Sequence, residues 1–227
     1  RGLGDVYKRQ SSLYELGYKS KEAINIARGN VARTIKANPK EIYFTSCGSE
    51  SDNLAIKGVA RANRRKGNHI ITSKIEHPAV LNTCKQLERE GFIVTYLNVD
   101  RYGKIDINEL KRSINNRTIL VSIMFANNEV GTIEPIKEIA NIVHNYNAIF
   151  HTDAVQAIGN VEIDVKDMGI DLLSMSAHKF YGPKGVGALY VKDGINFVPL
   201  QNGGHQENDK RAGTENVAGI VGLGKAI

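Results

Sequence analysis

Apolar residues in this chain fall into short continuous runs, separated by stretches in which they recur every three or four positions. The runs EIYFTS (41–46), 69–73, FIVTYLNV (92–99), TILVSIMFA (118–126), AIFHTDA (148–154), DLLSMSA (171–177) and GALYVK (187–192) read as strands. Between them, residues 20–36 place Ile24, Ala27, Val31 and Ile35 at helical spacing, with Ser20 as the N-cap. Ser49 opens a second helix reaching about Lys66, with Asp52 three positions later and Gly67 as the stop. Pro78 starts a third, whose core stripe of Val80, Leu81, Cys84 and Leu87 ends at Gly91. A turn at Asp100–Gly103 leads to a short helix over 107–114. Further helices are expected from Pro135 to Asn147 and after Asn216.

The run 118–126 is apolar on both faces, as a central parallel strand must be. Regular alternation of this kind predicts an α/β fold, a mostly parallel sheet with helices on both faces. RGLGDVYKRQ (1–10) joins no periodic pattern and reads as a junction foreign to the fold. Residues 11–227 then form one large, incomplete domain, because the last helix is cut at Ile227.

Composition narrows the setting. No run approaches the roughly 20 apolar residues of a membrane span, and the start lacks a secretory pattern, so the expected location is the cytoplasm. Cys47 and Cys84, the two cysteines, stand 37 positions apart without a CxxC pair, which argues against a disulfide framework or a zinc knuckle. The net charge of +6 comes from scattered basic residues. Their one short run, Arg64-Arg65-Lys66, closes a helix where cations suit the dipole, so a nucleic-acid partner is not expected.

In open parallel sheets, ligands bind beyond the carboxyl ends of the strands, and four clusters fall there. Thr45-Ser46-Cys47-Gly48-Ser49-Glu50 joins a strand to a helix. Gly48 permits close backbone approach, and Ser49 adds a hydroxyl to the helix N–H groups, which makes a phosphate cradle or a plain capping turn. Cys47 fits this turn as a small residue. His77, in Glu76-His77-Pro78, can stack on a flat ligand, shuttle protons or serve as a turn residue. Asp153 closes the strand AIFHTDA, where a buried carboxylate needs a cation such as a protonated pyridine nitrogen, unless it caps the next helix. Gln156 is placed to reach a ring hydroxyl. Lys179 follows the apolar strand in Ser176-Ala177-His178-Lys179, where partial desolvation frees an amine to bond an aldehyde, with Ser176 and His178 beside it for a phosphate.

Six strings extend this pattern: FTSCGSESDNLAIKG (44–58), EHPAVLNTC (76–84), SIMFANNEVGTIEPI (122–136), FHTDAVQAIG (150–159), SAHKFYGPKGVGALYV (176–191) and GGHQENDKRAGTENVAGIVGLGKA (203–226). In this order they resemble the cysteine desulfurases of the iron–sulfur-assembly and nitrogen-fixation type, within the class V aminotransferases. The resemblance implies the large domain of a fold type I enzyme that uses pyridoxal 5'-phosphate. Lys179 looks like the lysine that bonds the cofactor and moves the substrate Cα proton, and Asp153 like the partner of the ring nitrogen. Gln156 is similar to the contact for the ring oxygen, His77 to the stacked histidine and possible acid–base group, and Asn128 to an asparagine beside the ring. Gly48, Ser49, Ser176 and His178 match phosphate contacts; Ser49 stands where many members have threonine. Thr214 resembles the threonine that reaches the phosphate of a partner subunit, which implies a homodimer.

The implied substrate is L-cysteine, and the implied partners are a sulfur acceptor or iron–sulfur scaffold protein. The family's nucleophilic cysteine and carboxylate-binding arginine would lie beyond Ile227, so this stretch alone is not expected to turn over. A selenocysteine lyase, or a relative that lost the chemistry, would share the lysine and the aspartate.

Overall fold

A strand presents alternate residues to opposite sides, and here both sides are greasy. Leu172 and Leu189 join one core, while their neighbours Leu173, Ala188 and Tyr190 join another. A sheet apolar on both faces has to be covered on both. The computed structural model, which describes residues 15–227 and their side chains from 17 onward, shows this arrangement. The junction expected at 1–10 lies outside the described residues.

Seven strands form one sheet. They are β1 (Ile42–Thr45), β2 (His69–Ser73), β3 (Ile93–Leu97), β4 (Thr118–Ser122), β5 (Ile149–Asp153), β6 (Leu172–Ser176) and β7 (Gly187–Val191). The spatial order is β1-β7-β6-β5-β4-β2-β3. Strands β6, β5, β4, β2 and β3 run parallel, whereas β7 is antiparallel to both β6 and β1. Two reversals return β1 to the common direction, so its carboxyl end opens on the same side as those of β4, β5 and β6. The chain moves outward from β2 to β3, then back past β2 to β4, which makes the kind of switch point where ligands settle.

Among the described residues, six α-helices complete the layers: α1 (Glu15–Thr34), α2 (Gly48–Asn63), α3 (Pro78–Arg89), α4 (Ile107–Ser113), α5 (Ile136–His144) and α6 (Val217–Ala226). Helices α2 and α3 cover one face through Leu54, Val59, Val80, Cys84 and Leu87. The other face takes α1, α4, α5 and α6 through Val31, Leu110, Ile139 and Leu223.

Several boundaries differ from the sequence reading. Helix α1 begins well before Ser20, so Ser20 lies inside it rather than capping it. It ends at Thr34 because Lys36 turns left-handed, with φ 57°. Helix α2 starts at Gly48, with Cys47 rather than Ser49 at its boundary. The apolar run 118–126 is ladder-paired only to Ser122; beyond it, the Ile123 and Phe125 N–H groups still donate to His151 and Asp153 as the chain peels toward the site.

Candidate active site

The carboxyl ends of β1, β4, β5 and β6, with the turn after β2, enclose a cavity of about 260 Å³. Its walls include Gly48, Ser49, His77, Asn128, Asp153, Gln156, Ser176, His178 and Lys179. Nine of the ten residues singled out from the sequence therefore meet in one space. Thr214 does not; it is exposed on the segment before α6.

The wall nearest α2 is built for close approach. A β-carbon on Gly48 would lie 2.7 Å from Val155 Cγ2 and 3.3 Å from Ser176 Cβ, so only glycine lets this helix start settle against β5 and β6. Cys47 offers no side-chain hydrogen bond to the first turn, which leaves helix N–H groups for an incoming anion. Opposite, Ser176 Oγ and His178 Nδ1 are 3.0 Å apart. Hydroxyl, imidazole and helix dipole thus converge as a phosphate site requires.

His77 occupies two roles that the sequence left as alternatives. Its Nδ1 accepts the Ala79 N–H at 3.1 Å and caps α3. That bond places the ring proton on Nε2, and the ring lines the cavity. Asp153 is likewise both capping group and candidate ligand. Its Oδ1 accepts the Val155 N–H at 2.9 Å, turning the chain at the end of β5. Burial raises its pKa, against the pull of that N–H and of the nearby His77 and Lys179.

Beneath the cavity lies a set of groups the sequence reading did not assign. Asp52, three positions after Ser49, is 1% exposed and its Oδ1 has no hydrogen-bond partner. Burial, and then the charge of Asp153, push its pKa well up. The usable signal was its register with Ala55, Ile56 and Val59, the buried stripe of α2. His151 stands 3.8 Å from that oxygen and is kept neutral by burial, its pKa driven down to about 3. Ser122 at 2.8 Å and Ser174 at 3.0 Å hold its two ring nitrogens. Glu76 accepts the Ser73 hydroxyl at 2.6 Å and the Met124 N–H at 2.9 Å, and burial lifts its pKa to about 8. Asp52 itself reaches the cavity wall, and Met124, Ala126, Val155 and Cys47 supply the rest of it.

One expectation fails on position. Lys179 is exposed at the cavity mouth rather than partly desolvated, because the turn after β6 carries it outward while Ala177 and Phe180 take the buried places. It remains on the cavity wall with Asp153.

A flat ligand carrying a phosphate at one end and a cationic ring nitrogen at the other fits these walls. Gly48 provides the cradle that a side chain would fill, Asp52 Oδ1 has no partner, and burial outweighs the partners of Asp153, so a positive charge would suit both carboxyls. Pyridoxal phosphate has that form.

Comparison with known proteins agrees with the geometry. Residues 4–227 match the model of the family described as aminotransferase class-V. A curated relative, "Cysteine desulfurase IscS" of Clostridium botulinum, is 64% identical over 217 residues, covering 96% of this chain and 55% of its own length. Another of the same name, from Methanosarcina thermophila, is 63% identical over 224 residues, covering 99% and 55%. The chain thus spans about half the length of these relatives. Among solved structures, one described as "SspA in complex with cysteine" superposes with a TM-score of 0.94 at 47% identity, over 98% of this chain and 65% of that one. A "NifS-like protein" gives 0.94 at 43%, over 99% and 62%.

Proposed function

The chain belongs to the aminotransferase class-V family, and from that footing we propose that it is the cofactor-binding part of a cysteine desulfurase that uses pyridoxal phosphate. The observation that carries this reading is the meeting of Asp153, Gln156, His77, Lys179 and the Gly48–Ser49 turn around one cavity. Curated relatives above 60% identity that bear the desulfurase name support it. So does a neighbouring structure described as a complex with cysteine.

When bound, the cofactor supplies an electron sink for the bonds at the substrate α-carbon. The chain's own groups do the rest. Lys179 is the amine that holds the aldehyde end and, as a free base, takes a proton from the substrate Cα. Asp153 sets a negative charge where a ring nitrogen must stay protonated, and Gln156 holds the ring oxygen. His77 and Asn128 flank the ring, while Gly48, Ser49, Ser176 and His178 hold the phosphate.

The substrate in this reading is L-cysteine. A cysteine thiolate attacks the substrate sulfur and the C–S bond breaks. The sulfur leaves as an enzyme persulfide, and L-alanine departs with a proton in its place. Neither cysteine of this chain takes that role. Cys84 is buried, which pushes its thiol up to about 12, and Cys47 sits in the turn that starts α2. The nucleophile belongs to another part of the protein, as does the group that grips the substrate carboxylate. The exposed Thr214 fits a contact to a partner subunit's phosphate, hence a homodimer. The persulfide would serve a sulfur acceptor or iron–sulfur scaffold in the cytoplasm. Among the described residues, no helix is long and apolar enough to cross a membrane.

The test uses the full-length protein supplied with L-cysteine. Lys179→Ala should abolish both the cofactor's absorbance near the visible edge and the release of alanine. Turnover that survives this substitution overturns the assignment.

A further inference from the structure

The segment 203–216, which carries Thr214, lies outside the cavity, yet two ion pairs fasten it down. Arg28 of α1 grips Glu207 with both nitrogens, at 2.8 and 2.7 Å, and Glu207 also accepts the Phe44 N–H at 2.8 Å. These bonds hold Glu207, Asn208 and Asp209 in consecutive left-handed conformations, with φ of 46°, 54° and 64°. The second pair points at the site. Arg211 Nε and Nη2 donate to Glu50 at 2.7 and 3.1 Å, in the paired geometry that suits guanidinium and carboxylate.

Glu50 is the residue after Ser49, in the first turn of α2. Its Oε2 also accepts the Ser46 N–H at 2.7 Å and so fixes the turn from β1 into the phosphate cradle. The two side chains of this pair are only 19% and 17% exposed, so solvent screens them weakly. Burial would raise the Glu50 pKa, but the Arg211 and Ser46 bonds outweigh it and keep the carboxylate ionised. An anion here suits the helix dipole, yet it shares the helix start with the cradle for another anion.

We propose that Arg211 is a positioning residue for the cofactor phosphate: it cancels the Glu50 charge so that Glu50 can pin the Ser46 N–H without repelling the dianion. This rests on the pyridoxal phosphate reading of the cavity. It also ties the segment bearing Thr214 to the cradle of its own subunit.

The experiment titrates the full-length apoprotein with pyridoxal phosphate and, separately, with pyridoxal, which lacks the phosphate. Arg211→Ala should weaken pyridoxal phosphate about tenfold while leaving pyridoxal within about twofold, because the uncancelled Glu50 charge repels only the phosphate. Adding Glu50→Gln to that variant should restore most of the affinity, since glutamine keeps an acceptor for Ser46 and drops the charge. Glu50→Gln alone, with its near-isosteric side chain, should bind pyridoxal phosphate at least as well as the wild type. Equal losses for both ligands, absence of rescue, or a tenfold loss in Glu50→Gln alone would overturn the proposal and leave the pair purely structural. A wild-type protein that forms no Lys179-dependent absorbance with pyridoxal phosphate would instead overturn the cofactor reading itself.

Discussion

At the amino-terminal end of β6, Asp171 is buried, with 3% of its surface exposed, but well supplied with donors. His144 Nε2 lies 2.8 Å away, the Phe150 N–H 3.0 Å and Lys192 Nζ 3.2 Å. Burial pushes its carboxyl up, but these partners pull it further down, below the usual carboxylate range. At the opposite end of the same strands, Asp153 is buried to a similar degree, at 6%, and Asp52 more so, at 1%. There burial wins and both carboxyls are pushed up. The two ends differ in donors rather than depth. A fold supplies partners for a buried charge that serves structure, and leaves under-compensated one that waits for a ligand.

Substitutions at each end should separate along that line. The largest effect is expected from Asp153→Asn. Loss of the negative charge under the ring should lower turnover of the full-length protein by about 100-fold or more, with the melting temperature unchanged or higher. A large loss of stability in this variant would make Asp153 structural, like Asp171. Next, Asp171→Ala removes the acceptor of a buried N–H, of the His144 ring and of Lys192, and should cost about 2–3 kcal/mol in urea unfolding. Cofactor absorbance should stay intact; if it disappears, the two ends are coupled and the contrast fails.

A third effect is read through pH and concerns Glu76, whose folded pKa of about 8 exceeds the ordinary 4.5. A carboxyl that binds its proton more tightly when folded favours the fold in acid. It withdraws that support as pH rises from about 4.5 through 8. The wild type should therefore lose on the order of 4 kcal/mol relative to Glu76→Gln between pH 5 and pH 9. Unfolding curves at the two pH values read this directly, and parallel pH profiles for the two proteins would contradict the burial-raised carboxyl.

The positions of the site residues were legible from the chain because strand ends are legible. A buried strand is an apolar run, and the polar residues that close it sit where the sheet opens. His77, Asp153 and Ser176 were found in this way. Asp52 is less legible, since an acid early in a helix has a ready local explanation; its register with Ala55, Ile56 and Val59 is the sequence signal that its face points inward. Lys179 was placed correctly but credited with a burial it lacks, because whether a turn carries a side chain in or out depends on the backbone after Ser176. The start of α1 was also misplaced. Ser20 is a good N-cap residue by type, but the helix already runs from Glu15.

Hydrophobic periodicity by itself determined the alternation of strands and helices, the two-faced sheet and the end of each strand at which chemistry would gather. Those follow from local sterics and from the demand that apolar faces be buried. The structure alone decided which buried carboxylates receive donors, which way Lys179 points, and that Arg211 reaches Glu50 from 161 residues away. Charge compensation depends on distances between segments remote in sequence, and no local pattern encodes those.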